Sequence, residues 1–299
     1  MNRNNIEELK VLIDNKNLRK LKEELLTYNE ADIALFLEEL DEVQALAVFR
    51  ILPKDEAVDT FSFFEQDTQE RFINLMTNAE LTNLAESLYI DDVVDVLEEL
   101  PATIVKKILK DVNPARRNII NQYLQYPEDS AGSIMTAEYI GLKKNITVGQ
   151  AFSVIRKRGV DSENVYTCYL TDQSRRLEGF VSVRTLLVND DSTILSDLIE
   201  EDVIYVTTTD DQEYVARLFA KYGFLSLPVV DHEKRLVGVV TIDDAVDVLE
   251  EEATEDMEMM AAMTPSEKPY LKTSIFELAK NRFTWLVILM LTATITGFI

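Results

Sequence analysis

The chain of 299 residues carries 54 acidic and 30 basic residues, a formal net charge of -24. This balance excludes a nucleic-acid-binding protein, because neutralising phosphates requires a surplus of lysine and arginine, and it favours cations as partners. With one cysteine, Cys168, and one histidine, His232, a disulfide framework is excluded and a zinc site is disfavoured. Any metal ion would therefore be held by oxygen ligands.

The first 128 residues are predicted to be entirely helical. Apolar residues recur there at spacings of three and four, glycine is absent, and Pro53, Pro101 and Pro114 mark helix starts or breaks. Three related phrases, each an acidic turn followed by an apolar stripe, occupy residues 32–40, 55–64 and 91–100. Residues 1–128 are therefore expected to form an all-α superhelical solenoid, in which each unit buries its apolar face only against its neighbours.

A linker is predicted at residues 129–136, within the run YPEDSAGSIMT, and a duplicated unit follows it. LTDQSRRLEGFVSVRTLL at 170–187 and VVDHEKRLVGVVTIDDAV at 229–246 match at a constant offset of 59 residues. The matched pairs are Asp172 and Asp231, Arg176 and Arg235, Leu177 and Leu236, Gly179 and Gly238, and Ser182 and Thr241. One structural unit is thus present twice.

Each copy is predicted to run through a strand, a charged turn, a second strand and a helix, capped by Ser182 or Thr241. A further helix is expected upstream of each copy, near 147–158 and 211–222. Such βαββα units resemble the CBS (cystathionine-β-synthase-type) domain, which pairs in tandem. We assign CBS domain 1 to residues 137–199 and CBS domain 2 to residues 200–256. The fold class is then α plus α/β multidomain, with a long connecting helix after the pair.

That connecting helix is strongly acidic. Residues 243–258 contain nine acids and no base, so the i to i+4 cations that usually relieve repulsion are missing. On a helix one face would carry Asp244, Asp247, Glu251, Glu255 and Glu258, and the opposite face Ala245, Leu249, Ala253, Met257 and Met260. Two interpretations remain open: a solvated face over a packed apolar face, or a binding site for a hard cation such as Mg2+ or Ca2+.

The sequence ends in an apolar run at residues 283–299, which is shorter than a membrane-spanning helix requires. We expect it to be the start of a first transmembrane helix that the sequence cuts short, with the connecting region at 243–282. Lys280 and Arg282 before the run place residues 1–282 on the cytoplasmic side, and Trp285 suits an interfacial anchor. The alternative is a C-terminal core helix.

In this order the solenoid, linker, CBS pair, acidic helix and apolar run resemble the cytosolic region of an MgtE-type magnesium transporter. The most specific segments are EDSAGSIMT at 128–136 and VTIDDAVDVLEEEATED at 240–256. The resemblance implies a homodimer formed through the CBS domains, a multi-pass transmembrane pore domain in the cell (inner) membrane, and a plug helix after the second CBS domain. It also implies that Mg2+ bound at acidic interfaces between N domain, CBS domains and plug stabilises the closed state, which gives feedback control of Mg2+ uptake.

The resemblance also implies a set of metal ligands. The side-chain ligands are Asp59, Asp91, Asp95, Glu213, Asp244, Asp247, Glu252, Glu255 and Asp256. Ser133 and Ala220 match positions where a backbone carbonyl coordinates. The chain departs from the family at Gly223, where relatives carry an aspartate, so a site that depends on that carboxylate should be weaker, water-filled or absent. Ligand type alone does not separate Mg2+ from Mn2+ or Co2+.

The alternative function is an adenine-nucleotide-sensing CBS module of another membrane transporter or channel. CBS pairs that bind ATP use a Ser/Thr-x-x-Asp pattern, which Thr241 and Asp244 provide, whereas the first copy lacks the acid and offers Arg184 for phosphate. An enzyme is not expected, because the chain contains no glycine-rich phosphate loop, no nucleophile elbow and no suitable histidine.

Overall fold

The computed structural model describes residues 3–98, 100–160, 162–260 and 275–297. The chain forms two compact units. The first contains the N-terminal region to Glu128 together with Met135–Gly141 and Gly149–Val165, and the second contains Asp129–Ile134, Leu142–Val148 and the region from Tyr166 onwards. The middle of the predicted connecting region, residues 261–274, lies outside the described residues.

The N-terminal region is a series of short helices, as the sequence predicted. They are α1 (Arg3–Asp14), α2 (Leu18–Leu25), α3 (Glu30–Glu38), α4 (Glu42–Phe49), α5 (Lys54–Ser62), α6 (Gln66–Leu75), α7 (Asn78–Ser87), α8 (Ile90–Glu98), α9 (Ala102–Asp111) and α10 (Pro114–Tyr123). From α3 onwards each helix packs on the helix two places along: α3 on α5, α5 on α7 and α7 on α9, and likewise α4 on α6, α6 on α8 and α8 on α10. These two rows of stacked helices form the expected solenoid.

The local signals in the sequence explain where these helices begin. Pro53 and Pro101 are the N-cap residues of α5 and α9, and Pro114 is the first residue of α10. Proline suits these positions because its missing N–H would have no intrahelical partner there. The core between α4, α5 and α6 is aromatic, and the rings of Phe49 and Phe72 meet edge to face at 5.3 Å.

The duplicated region consists of two small sheets with flanking helices. The first copy contains β1 (Tyr139–Leu142), α11 (Val148–Arg158), β2 (Asn164–Thr171), β3 (Leu177–Ser182) and α12 (Val183–Leu187). The second contains β4 (Val206–Thr207), α13 (Gln212–Tyr222), β5 (Ser226–Val230), β6 (Leu236–Thr241) and α14 (Ile242–Met260). The strand orders are β1-β2-β3 and β4-β5-β6. Both copies therefore have the predicted βαββα order.

The two copies also share their register. In the antiparallel β2–β3 pair Thr167 faces Ser182, and in the β5–β6 pair Ser226 faces Thr241, so both partners are shifted by the same offset. The copies meet at their charged turns, where the Leu177 N–H donates to the Lys234 carbonyl and the Leu236 N–H donates to the Arg175 carbonyl. These reciprocal bonds relate the turns by a local two-fold pseudosymmetry.

The segment predicted as a linker is packed rather than free. Ser130, Ala131 and Ser133 are buried. The Ala131 N–H donates to the Asp210 carbonyl at 2.7 Å, and the Gln212 N–H donates to the Asp129 carbonyl at 2.9 Å. Residues 129–134 therefore form part of the second compact unit, alongside the start of α13.

Helix α14 is amphipathic only over its first turns. Ala245 and Val248 are buried, as expected for the apolar face, whereas Met257 and Met260 on the same predicted face are 70% and 88% exposed. The packed-face interpretation is thus wrong for the second half of the helix. Glu258, on the predicted acidic face, is buried, so the solvated-face interpretation does not hold at this residue.

The last described helix, α15 (Ile275–Gly297), contains most of the apolar run. Most of its described apolar side chains are exposed, with Phe283 at 65% and Met290 at 62%, which contradicts the alternative of a packed core helix. Within the described ranges, no helix combines the length and the apolar character needed to cross a bilayer.

Candidate metal sites and relatives

Two of the three predicted side-chain ligands of the solenoid, Asp91 and Asp95, lie in α8. Asp91 is in the first turn of the helix and only 5% exposed. Asp95 lies one turn further along and is exposed. The first turn is a favourable place for a negative charge, because the helix dipole is positive there. The dipole alone, however, does not explain why a carboxylate is removed from solvent.

A second carboxylate lies beside Asp91. One carboxylate oxygen of Glu163, the residue before β2, lies within 4.8 Å of one from Asp91. Asp91 Oδ1 and Glu163 Oε2 are both shielded from solvent. Two such charges repel by about 3 kcal/mol at an effective dielectric of 20. Glu163 was not predicted from the sequence, because nothing in the sequence around Glu163 indicates that this residue lies beside α8.

Asp59 and Tyr89 extend this acidic region of the first unit. Burial is the main cause of the raised pKa of the Asp59 carboxyl, and the charges of nearby acids add to it. Burial, followed by the charges of Glu163 and Asp59, raises the pKa of the Tyr89 phenol, and Asp91 acts in the same direction. The Tyr89 hydroxyl therefore lies in the negative field of carboxylates contributed by three separate segments.

In the second unit, Asp244 is the most strongly perturbed acid. Burial raises the pKa of its carboxyl to about 6, and the nearby charges of Asp243 and Asp247 contribute. The Thr241 hydroxyl donates to Asp244 Oδ2 at 2.5 Å, which favours the charged form and only partly offsets the burial. Partial desolvation is the main cause of the raised pKa of the Asp247 carboxyl, one turn along α14, and the charges of Asp243 and Glu250 add to it.

A further acidic group forms where the middle of α14 meets the start of α13. The amide of Gln212 donates to Glu252 Oε1 at 3.3 Å. The pKa of Glu252 is raised by burial and then by the charges of Glu213 and Glu255. Glu255 and the adjacent Asp256 are exposed.

Glu213, also in this group, already has a cationic neighbour. The guanidinium of Arg217 lies one turn along α13 and donates to the Glu213 carboxylate. A metal ion at Glu213 would therefore have to compete with an internal ion pair.

The two predicted carbonyl ligands occupy different environments. Ser133 is buried, and its hydroxyl donates to the Ser130 carbonyl at 2.8 Å. Ala220 lies in the last turn of α13, where helix carbonyls have no intrahelical partner. The helix ends at Gly223, whose φ of 69° is left-handed. This conformation explains the glycine, although aspartate also tolerates it.

The candidate nucleotide ligands are also distributed unevenly. Thr241 is buried, and its hydroxyl donates to Asp244, the aspartate of the Ser/Thr-x-x-Asp pattern. In the first copy Ser182 instead caps α12 by accepting from the Thr185 N–H at 3.0 Å. Arg184 is exposed at the surface.

The structure thus brings the predicted ligands into two groups, each within one compact unit. The first unit holds Asp59, Asp91 and Asp95. The second holds the remaining predicted ligands on α13, on α14 and in the segment before β1, namely Glu213, Asp244, Asp247, Glu252, Glu255, Asp256, Ser133 and Ala220. Both groups consist of oxygen donors, the ligand type that Mg2+ and Ca2+ prefer.

Comparisons with known proteins agree with this architecture. Residues 28–129 match the model of the MgtE intracellular N domain, and residues 195–251 match the CBS domain model. A crystal structure of the soluble part of a magnesium transporter superimposes with a TM-score of 0.77 at 32% identity, covering 83% of this chain and 98% of that one. The chain belongs to the MgtE family.

Curated MgtE relatives extend the match over almost the whole chain. The magnesium transporter MgtE of Thermus thermophilus is 36% identical over 289 residues, which is 95% of this chain and 63% of that protein. MgtE of Bacillus subtilis is 29% identical over 94% of this chain and 61% of that protein. The chain therefore spans about three fifths of the length of these relatives. Both relatives are named as transporters, not as enzymes.

A second solved MgtE structure bears on the nucleotide question. The cytosolic domain of the Mg2+ channel MgtE in complex with ATP has a TM-score of 0.77 and is 34% identical, covering 81% of this chain and 99% of that one. ATP binding is a property of that protein.

Proposed function

We propose that this chain is the cytosolic Mg2+-sensing region of a magnesium transporter or channel and that it controls Mg2+ uptake by feedback. The observation that carries the proposal is the pair of carboxylates of Asp91 and Glu163, which approach within 4.8 Å with an oxygen of each shielded from solvent. A divalent cation would remove their repulsion. In the second unit, burial is the main cause of the raised carboxyl pKa values of Asp244 and Asp247, and the charge of Asp243 adds to both.

In this proposal Mg2+ is the signal. The all-oxygen donor set fits Mg2+, which keeps several waters and accepts one or two carboxylates at each site. At high cytosolic Mg2+ the ions neutralise the acids of the solenoid, the CBS pair and the plug helix α14, and the assembly holds the pore closed. At low Mg2+ the acids repel one another and the closed state is lost.

The energies needed are modest. A site occupied at ten times its dissociation constant contributes about 1.4 kcal/mol. Changing a conformational equilibrium from 1:99 to 99:1 requires about 5.5 kcal/mol. About four coupled sites therefore suffice, even when each binds Mg2+ weakly, and the acids on the two units are numerous enough to supply them.

The wider assembly is part of the same proposal. We place this region on the cytoplasmic side of the cell membrane, joined to a transmembrane pore domain and paired with a second copy through the CBS domains. The names of the relatives and the matched cytosolic domain support this placement. Mn2+ fits the same ligands and would compete.

The experiment is small-angle scattering of the whole chain with and without Mg2+, comparing the wild type with two fourfold variants of equal charge change. The test variant carries Asp91→Asn, Asp95→Asn, Asp247→Asn and Glu255→Gln. The control carries Glu42→Gln, Glu70→Gln, Asp190→Asn and Asp191→Asn, all exposed. Mg2+ should compact the wild type and the control, and should have little effect on the test variant. Equal compaction of all three would refute the proposal.

ATP sensing is the second candidate, supported by the bonded pair of Thr241 and Asp244 and by the ATP complex of the related cytosolic domain. It predicts that ATP or AMP raises the melting temperature of the chain and that Mg2+ alone does not. Asp244→Asn should remove the nucleotide effect. A shift with Mg2+ alone favours the magnesium proposal.

A further inference from the structure

Arg116, in the first turn of α10, makes three contacts through one largely buried guanidinium group. Its Nε donates to the Ala85 carbonyl at 2.7 Å, and its Nη2 donates to the Leu88 carbonyl. Its Nη1 lies 3.6 Å from Glu138 Oε1, and both side chains of this ion pair are 18% exposed. The planar fork of arginine can bind several acceptors in fixed directions, which the single ammonium group of lysine cannot do.

The first two contacts fix the start of the helix that carries Asp91. Ala85 lies in the last turn of α7, and Leu88 is the C-cap residue that follows it. Carbonyls at this end of a helix have no intrahelical partners, and an arginine can satisfy them. Because α8 begins at Ile90, holding the Leu88 carbonyl also holds the short connection that leads into the helix turn carrying Asp91.

The third contact leads to Glu163. Arg116 forms its ion pair with one carboxylate oxygen of Glu138, and the Thr136 hydroxyl donates to the other oxygen at 2.9 Å. The backbone carbonyl of Glu138 accepts a hydrogen bond from the Glu163 N–H at 3.1 Å. Arg116 therefore bonds directly to the backbone three residues before Asp91, and it is linked to the backbone of Glu163 through Glu138.

We infer that Arg116 is a positioning residue that sets the separation of the Asp91 and Glu163 carboxylates and so sets the affinity of this pair for Mg2+. This inference rests on the proposed function. Without a bound cation the two charges repel, and the backbone would relax to move them apart. The Arg116 contacts oppose that relaxation, so the pair is already arranged for the ion before it binds. Residues that orient metal ligands in this way typically change metal affinity by about 10- to 100-fold.

The test measures Mg2+ binding to the whole chain by isothermal titration calorimetry, with Mg2+ alone as the probe. Arg116→Lys keeps the charge but not the fork, and Glu138→Gln removes only the ion pair. Arg50→Ala is the matched control: Arg50 forms a two-pronged ion pair with Glu80 in the same solenoid, at 2.8 and 3.1 Å, but contacts no proposed ligand.

We expect Arg116→Lys to weaken the tightest Mg2+ binding about 10-fold and Glu138→Gln to weaken it less. Arg50→Ala should lower the melting temperature and leave Mg2+ affinity unchanged, which separates positioning from general stability. If Asp91→Asn weakens binding and both Arg116→Lys and Glu138→Gln bind like the wild type, the inference is overturned while the magnesium proposal stands. If Asp91→Asn also binds like the wild type, the site at Asp91 fails, and the inference fails with it.

Discussion

Replacing Asp244 by asparagine should stabilise the protein when Mg2+ is absent. Asparagine has nearly the same shape and keeps an acceptor for the Thr241 hydroxyl, which now donates to Asp244 at 2.5 Å. It removes a charge that burial disfavours, as the carboxyl pKa of about 6 shows. A change of about two pK units from the ordinary value corresponds to roughly 3 kcal/mol. Solvent relaxation lowers this figure, so we expect a gain of about 1 to 3 kcal/mol.

The gain should depend on pH in a defined direction. The folded-state pKa of Asp244 is raised, so between the ordinary value and about 6 the folded protein binds the proton and the unfolded chain does not. The penalty of the charged carboxylate is therefore complete above about pH 6 and disappears below about pH 4. The advantage of Asp244→Asn should be largest near neutral pH and fall to about half at pH 5.

The assay is thermal unfolding in EDTA at about pH 7.5 and pH 5, followed by scanning calorimetry. Each kcal/mol should raise the melting temperature of the unit that contains Asp244 by roughly 2 to 4 °C. Asp190→Asn, at an exposed position of the same unit, is the control for the change in net charge. A variant less stable than the wild type at pH 7.5, or an advantage that grows on acidification, would refute the reasoning.

Three further predictions concern other positions. Gly223→Asp should tighten Mg2+ binding about tenfold in titration calorimetry, because it adds a carboxylate ligand. A Cβ at this position would have no atom within 4 Å, and the left-handed backbone costs about 1 kcal/mol. Unchanged affinity would exclude a site at this helix end. Saturating Mg2+ should lower the pKa of the Tyr89 phenol, which carboxylates including Asp91 now raise, as seen in ultraviolet titration of the wild type minus Tyr89→Phe; an unaltered pKa would argue against an ion there. Gly179→Ala should cost about 1 to 3 kcal/mol in urea unfolding, because its Cβ would lie 2.6 Å from the Glu200 carbonyl oxygen; a neutral effect would contradict the close packing of this strand.

Features that depend on neighbours in the chain could be predicted from the sequence. Pro101 and Pro114 mark helix starts because proline has a local effect on the backbone, and both do begin helices. The duplicated unit could be recognised for the same reason: Asp172 and Asp231 each accept two backbone N–H bonds within their own turn. The helical solenoid and the paired CBS copies follow from such signals.

Features that depend on distant residues could not be predicted. Amphipathic spacing placed Met257 on a packed face, yet that residue is exposed. Spacing shows which residues share a helix face, but it does not show whether another element packs against that face. The spacing placed Glu258 on an acidic face that was either solvated or a cation site, and it did not indicate that this residue is buried.

The sequence by itself determined the order of the domains, the surplus of acid and most of the proposed ligands, since these follow from composition, local periodicity and recurring motifs. Only the tertiary structure decided that Glu163 lies beside Asp91 and that Arg116 contacts the Leu88 carbonyl just before α8 and the carboxylate of Glu138. The physical reason is that these contacts join α8, α10 and the segment before β2, and the distance between such segments is set by packing of the whole unit rather than by any local sequence pattern.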